Sequence, residues 1–177
     1  LPTSSVARLH GENIRDYAGY DVSIIPDING DQNDDILIGA YGYDKEALPN
    51  DIPDVGIVYL VHGPVSGDIS LETADAMFIG EEDEDYAGWA VSGGADVSGD
   101  GSADDVIIGA YNADDNGRNG AGIVYLVHGP HSGEIDLTNA DARLIGESNF
   151  DFAGYDVDFA DLNADGFDDI LIGAYGQ

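Results

Sequence analysis

Short apolar runs, each about four to seven residues long, alternate with polar connections along the whole chain. In the first half of the chain they fall near residues 20–23, 35–40, 56–61 and 76–79, and they are rich in Val, Ile and Tyr. Runs of this composition, bounded by Gly, Asp, Asn or Pro, are typical of β-strands. No window shows a convincing apolar period of 3.6 residues, so the pattern argues against long helices. Residues 70–76 and 136–142 predict only a short helical turn before a strand.

The apolar runs belong to a tandem repeat. The segments DYAGYDV, DYAGWAV and DFAGYDV align without gaps, and two near-duplicates of GIVYLVHGPVSGDISLETADA begin at Gly56 and Gly122. Each unit therefore predicts four antiparallel strands, which indicates an all-β fold built of β-propeller blades. The runs ILIGA and VIIGA are apolar on both faces, as expected for strands sandwiched between neighbouring blades.

The repeat boundaries predict the organisation of the chain as a single propeller segment, residues 1–177, of about two and a half blades. The last strand of a preceding blade occupies residues 1–15, the first blade 16–80, the second 81–146 and the first half of a third 147–177. Because a ring needs about four blades to close, we expect either a portion of a longer propeller or one that other chains complete.

The net charge of the chain limits the kinds of partner that it can bind. The chain has 36 acidic residues against 5 Lys and Arg, a net charge of −31. Such a surface repels nucleic acid and anionic membranes, so we expect bound cations, a salty medium or both. The absence of Cys excludes disulfides and thiolate sites. No apolar run approaches the roughly 18 residues of a membrane-spanning helix.

Much of the negative charge lies in three loops, each between the first and second predicted strand of a unit. In the third loop, which begins at Asp161, oxygen-bearing side chains occupy positions 1, 3, 5 and 9, and the backbone carbonyl at position 7 is a further candidate ligand. Alternate side chains of a tight loop turn toward one point, and hard oxygen ligands suit Ca²⁺. The predicted calcium ligands are Asp27, Asn29, Asp31, Asn33 and Asp35; Asp96, Ser98, Asp100 and Ser102 with Asp104 and Asp105; and Asp161, Asn163, Asp165, Phe167 and Asp169.

The three loops are not equivalent. Gln32 stands where the third loop has Gly166, which predicts a tighter backbone or a lower affinity. The second loop has one extra residue and a weak ligand in Ser98, so either Asp104 or Asp105 closes it, and we expect it to bind calcium least tightly. Position 12 is Ile in all three loops, where an EF-hand needs a bidentate Glu. The sequence predicts about three Ca²⁺ ions, one per loop; the alternative is solvated acidic turns.

The segment AGYDV…DLNADGFDDILIGAYG resembles the FG-GAP repeats of integrin α-subunit propellers and of their bacterial relatives. The likeness extends over nearly the whole chain, although AG replaces Phe-Gly and GAY replaces Gly-Ala-Pro. The segments GPVSG and GPHSG favour the bacterial branch. The resemblance implies a propeller of about seven blades, calcium in the loops between strands one and two, and partners on the opposite face.

On that opposite face, the densest charge is the segment EEDED. We predict it, as the best partner-binding candidate, to meet a cationic partner or to bridge through another divalent ion; the alternative is solvated charge. The residues are Glu81, Glu82, Asp83, Glu84 and Asp85. The expected partners are a protein or a glycan, other blades of the same parent chain, or neighbouring subunits.

No catalytic constellation is evident. The three histidines of the VHGP segments lack a recurring second ligand, the two SG serines lack an activating His–Asp pair, and Trp89 aligns with Tyr20 and Tyr155 as a packing residue. We therefore predict a non-catalytic calcium-binding module of a secreted or cell-surface bacterial protein, which mediates adhesion, protein or glycan binding, or surface assembly. A high-salt or marine habitat fits the charge. The alternative is the propeller portion of an extracellular hydrolase whose catalytic residues lie elsewhere.

Overall fold

A computed structural model of the chain describes residues 7–45 and 54–176. Within these residues the chain forms thirteen β-strands, two short 3₁₀ helices and no α-helix, so the prediction of an all-β fold is confirmed. The strands are β1 (Ala7–His10), β2 (Val22–Ile25), β3 (Asp35–Ala40), β4 (Ile57–Val61), β5 (Gly67–Ser70), β6 (Ala76–Ile79), β7 (Ala90–Ala95), β8 (Asp105–Ala110), β9 (Ile123–Val127), β10 (Gly133–Asp136), β11 (Ala142–Ile145), β12 (Ala153–Ala160) and β13 (Asp169–Ala174). The 3₁₀ helices, Leu71–Thr73 and Leu137–Asn139, lie within the two predicted helical turns.

The strands assemble into repeated blades. Strands β2, β3, β4 and β6 are antiparallel neighbours in one blade, and β7, β8, β9 and β11 repeat the arrangement in the next. Strands β12 and β13 pair as the first two strands of a third unit. Each strand connects to its sequence neighbour through a loop, which places the loops after the first strand at one end of the blades and the loops after the second strand at the other.

Each complete blade also contributes a strand to the blade before it. Strand β10, from the connection between the third and fourth strands of the second blade, pairs in parallel with β6 of the first. Strand β5 pairs in the same way with β1. The repeat pattern predicts four antiparallel strands per blade and gives no sign of this fifth, parallel strand, because the segments GDIS and GEID are only four residues long and half polar.

The hydrophobic core lies between blades. One buried cluster joins Leu60 and Phe78 of the first blade to Tyr125 of the second, all three side chains with essentially no solvent exposure. The first strand of each blade shows the effect of this packing. Val91 is 5% exposed beneath the first blade, whereas the equivalent Val22 is 59% exposed because no preceding blade covers it within the described residues.

Glycine sets the distance between blades. A Cβ placed on Gly39 of β3 would lie 2.1 Å from the carbonyl oxygen of Gly88, the residue that leads into the first strand of the next blade. Gly109 and Gly154 repeat the contact at the next interface, also at 2.1 Å. The glycines of the AG and IGA segments are therefore required where two backbones approach more closely than any side chain permits.

Candidate functional site

The first acidic loop curls around its own carboxylates. The carboxylate of Asp27 accepts hydrogen bonds from the backbone N–H groups of Gly30 (2.7 Å), Asp31 (3.0 Å) and Gln32 (2.6 Å). The side-chain oxygen of Asn29 accepts from the N–H of Asp31 at 2.8 Å. The side chains of positions 1 and 3 therefore accept from backbone N–H groups of a single tight turn, and that of Asp31 at position 5 accepts from the N–H of Asn33 at 2.8 Å.

The third loop repeats these contacts at equivalent positions. The Asp161 carboxylate accepts from the N–H groups of Asp165 (3.2 Å) and Gly166 (3.1 Å), and Asn163 accepts from the N–H of Asp165 at 2.8 Å. The Asp165 carboxylate accepts from the N–H of Phe167 at 2.9 Å. Phe167 follows Gly166, whose φ is 92°, and its N–H belongs to the same turn as the carboxylates.

In the second loop, Asp105 and not Asp104 takes the structural position of Asp35. Asp105 begins β8 as Asp35 begins β3, and its carboxylate accepts from the N–H groups of Val97 and Ser98, both at 2.8 Å. Asp35 makes the corresponding contact to the N–H of Ile28 at 3.0 Å. Asp105 is therefore the counterpart of Asp35 at the end of the loop.

Asp104 lies beneath the turn that follows β9. The ring Nε2 of His131 lies 2.8 Å from its carbonyl oxygen, and a Cβ on Gly129 would lie 2.2 Å from its carboxylate. One carboxylate oxygen of Asp104 is buried without a hydrogen-bond partner, and burial raises the pKa of this carboxyl. The extra residue of the second loop thus displaces Asp104 toward the neighbouring turn.

The backbone of all three loops is left-handed at positions 4 and 6. At position 4 the φ angles are 82° at Gly30, 75° at Gly99 and 60° at Ala164. At position 6 Gln32 adopts 73°, where Gly101 has 91° and Gly166 has 92°. Gln32 therefore holds the same turn as its glycine counterparts, at the conformational cost of a side chain in the left-handed region.

The last carboxylate of the loop also holds the neighbouring connection. Asp35 is fully buried, and its second oxygen accepts from the N–H of Gly63 at 2.9 Å. In the second blade the Nδ1 of His128 lies 2.9 Å from Asp105. No role was predicted for the VHGP segments, and their recurrence in two repeats is the sequence feature that could have indicated one.

All the candidate metal-ligand atoms in the three loops are oxygens. Each loop offers carboxylates together with an amide or hydroxyl oxygen and a backbone carbonyl, a set that fits a hard cation such as Ca²⁺. In the part of the chain that the structure describes, no three His, Asp or Glu side chains by themselves form a metal-binding group. A cation in these loops would therefore depend on the mixed donor set.

The structure divides the predicted partner-binding segment between the interior and the surface. The Glu81 side chain is 11% exposed and forms an ion pair with Arg143 of β11 at 3.0 Å. Asp85 is buried and accepts from the N–H of Glu82 at 3.3 Å. Glu82, Asp83 and Glu84 are exposed. Only these three remain accessible to a partner.

An aromatic array runs along the end of the blades opposite the acidic loops. Each repeat supplies three rings, two from its D-Y/F-A-G-Y/W segment and one from its GAY segment: Tyr17, Tyr20, Tyr41, Tyr86, Trp89, Tyr111, Phe152, Tyr155 and Tyr175. Trp89 connects the repeats, with ring centroids 4.4 Å from both Tyr20 and Tyr111 and 5.5 Å from Tyr155. Trp89, predicted to be a packing residue, does pack against these rings, whereas the aligned Tyr20 and Tyr155 are 48% and 41% exposed.

The array borders a hollow of about 600 Å³ between the first and second blades. Tyr41, Tyr86 and Trp89 form part of its wall, and Asp44 and Asp54 add carboxylates. Burial raises the pKa of Asp54, and the charge of Asp44 raises it further. The hollow therefore combines aromatic rings with two carboxylates and one guanidinium group, that of Arg15.

Within residues 7–45 and 54–176, no helix has the length and apolar character needed to cross a membrane.

Comparison with known proteins identifies the repeat. Residues 87–127 match the FG-GAP repeat family model. The chain is 30% identical over 171 residues to integrin alpha-IIb of Mus musculus, an alignment that covers 96% of this chain and 16% of that protein. It is also 30% identical over 190 residues to integrin alpha pat-2 of Caenorhabditis elegans, covering 98% of this chain and 14% of that protein. The chain thus spans about a sixth of these relatives' length. With its repeated four-stranded blades, the chain contains an FG-GAP repeat at residues 87–127 and is similar over nearly its whole length to integrin α-subunits.

Proposed function

We propose that the chain is a non-catalytic, calcium-stabilised binding module of a secreted or cell-surface protein. The observation that supports this most strongly is the recurrence of one loop geometry at equivalent points of three successive repeats. In each, carboxylates at positions 1 and 5 curl around backbone N–H groups, and a third carboxylate begins the next strand. If the loops were only solvated acidic turns, we would not expect the same arrangement in three successive repeats.

Calcium acts in this proposal by gathering like charges at the start of a buried strand. Asp27 and Asp31 lie within one turn, and Asp35 is fully buried where β3 enters the core. A divalent cation offsets their mutual repulsion and fixes the loop to the strand. A ligand that binds only the folded chain stabilises it by mass action.

The proposed partner surface is the face with the aromatic array. Exposed rings of Tyr20 and Tyr155, the hollow beside Trp89 and the exposed acids Glu82 and Glu84 combine aromatic faces with negative charge. This chemistry suits a protein segment that presents a Lys or Arg side chain to a ring, or a glycan that stacks on it. The similarity to integrin α-subunits supports an adhesive role at the cell surface.

Calcium titration calorimetry tests the proposal. We expect about three binding events per chain in the millimolar range or tighter. Asp27→Ala and Asp161→Ala should each remove one event, and Asp34→Ala, at an exposed residue outside the predicted ligand set, should remove none. Absence of calcium-specific heat up to about 10 mM, a concentration well above the affinity range of extracellular sites, would refute the proposal.

A further inference from the structure

The outermost strand of a blade receives a parallel strand at a fixed register. In the pair of β1 and β5, Leu9 lies opposite Ile69. In the pair of β6 and β10, Phe78 lies opposite Ile135. In both pairs an acceptor strand that begins with Ala meets a donated strand that begins with Gly and places Ile at its third position.

The donated strand is fixed by both backbone and side-chain contacts. The N–H of Gly133 donates to the carbonyl of Asp75 at 2.9 Å, just before β6. Ile135 packs against the core between the blades, and Leu137, which follows the strand, is completely buried in it. The ring of His131 contacts Phe78 edge-on, with centroids 5.0 Å apart.

Strand β11 has the same acceptor features. Its sequence ARLI repeats the ARLH of β1, and its third residue, Leu144, is partly exposed where Phe78 is fully buried. Among the described residues no strand pairs with its outer edge. The carbonyl of Asp141 stands before β11 as that of Asp75 stands before β6.

Charge favours a particular partner strand. Arg8 lies opposite Asp68 in the register of β1 and β5, and Arg143 takes the position of Arg8 in β11. Two of the five basic residues of the chain therefore occupy the same position on their acceptor strands. Arg143 already forms an ion pair with Glu81, and its side chain, 37% exposed, remains accessible to a further acid.

We propose that the outer edge of β11 is a strand-acceptor site for the connection between the third and fourth strands of another FG-GAP blade. The occupant is a parallel strand with the order Gly, acid, Ile and a polar residue, followed by Leu. Its Ile packs on Leu144 and its acid faces Arg143. The free N–H and C=O groups of the edge supply the backbone bonds, as in other cases of strand addition.

A fluorescent peptide with the sequence of residues 129–140 tests the site on the unaltered chain. We expect saturable binding that weakens at least about tenfold when the peptide carries Ile135→Asp, because the buried Ile side chain is lost. Glu134→Lys should weaken binding by a few-fold at low salt. Because the changes are in the peptide, misfolding of the chain cannot produce these losses. Equal binding of the three peptides, or no binding by the unmodified one, would overturn the proposal.

Disulfide trapping tests the register. The chain has no Cys, so Arg143→Cys introduces a single thiol. The register of β6 with β10 places residue 134 of the peptide opposite residue 143. A peptide with Glu134→Cys should cross-link rapidly, and one with Asp136→Cys should not. Equal cross-linking of both peptides would show non-specific association and would also overturn the proposal. Neither experiment depends on calcium affinity, so its outcome is independent of the proposed function.

Discussion

Asp35 accepts a hydrogen bond from the N–H of Gly63, 2.9 Å away, and so ties the first acidic loop to the connection that follows the third strand of the blade. The other oxygen of the same carboxylate accepts from the N–H of Ile28 at 3.0 Å. The fully buried carboxylate of Asp35 thus holds two loops together through backbone hydrogen bonds that do not require a metal ion.

Asp35→Asn should therefore destabilise the fold even without calcium. The amide retains one acceptor oxygen and directs an NH₂ group at a backbone donor, which leaves a buried donor unsatisfied at a cost of about 1–3 kcal/mol. Denaturant unfolding in EDTA measures the effect. The neighbouring exposed residue provides the control, since Asp34→Asn should change stability by less than about 0.5 kcal/mol. Equal losses in the two variants would contradict this account of Asp35.

Gln32→Gly should stabilise the first loop. Gln32 has φ 73° at a position where the other loops have glycine, and relief of the left-handed strain outweighs the added chain entropy by about 0.5–1 kcal/mol. Gln32→Ala keeps the strain and should bring no gain. Thermal unfolding of the three proteins in EDTA separates the backbone effect from metal binding. A gain for Ala as large as that for Gly would show that the side chain, and not φ, is responsible.

Gly39→Ala should disrupt the contact between blades. Its new Cβ would meet the Gly88 carbonyl at 2.1 Å, and overpacking of this kind costs about 1–3 kcal/mol or more. The equivalent Gly173 of the third unit has its nearest neighbour at 3.2 Å, the Cβ of Asp156, so Gly173→Ala should be tolerated far better. Chemical denaturation compares the two variants. Similar losses at both sites would mean that close approach between blades is not the reason for the glycine.

Asp85 should make stability depend on pH. Burial raises its pKa to about 7, and the charges of Glu82 and Glu81 add to the effect, although the N–H of Glu82 opposes it. The folded chain then retains a proton that the unfolded chain releases, so this group lowers stability as pH rises from about 4 to 7, by at most roughly 4 kcal/mol, with no further change above.

Asp85→Asn removes this contribution. The variant should be more stable than the parent chain at pH 8 and nearly equal to it at pH 4, as measured by unfolding across that range at constant salt. Asp83→Asn removes one exposed negative charge and controls for net charge. If both variants change the pH dependence equally, burial of Asp85 does not govern it.

The sequence predicted the strands and the acidic loops because both depend on local pattern. The apolar run of β3 can be recognised within about ten residues of sequence. The same holds for the spacing of Asp27 and Asn29, at positions 1 and 3 of the first loop. The Gln32 position, where another repeat has glycine, predicted a tighter backbone or a lower affinity; that Gln32 adopts a left-handed φ of 73° is visible only in the structure.

Contacts between residues far apart in the sequence could not be predicted. Strand β10 pairs with β6, more than fifty residues earlier in the chain, and no feature of GEID specifies that partner. Glu81 and Asp85 belong to an unbroken acidic run, yet a contact with Arg143 and a turn around Glu82 direct them inward. The aromatic array is visible in sequence only as aligned rings; the adjacency of Trp89 to rings from three repeats arises from blade packing.

The most direct test of the proposed role is thermal unfolding of the whole chain in about 10 mM Ca²⁺ and in EDTA, with Mg²⁺ and matched ionic strength as controls. Occupancy of one loop at a hundred times its Kd contributes about 2.7 kcal/mol, which for a chain of this size raises the Tm by roughly 5–10 °C. The account predicts at least this rise with Ca²⁺, a smaller one with Mg²⁺, and a reduced one in Asp27→Ala and Asp161→Ala. A Tm that is the same in calcium and in EDTA would contradict it.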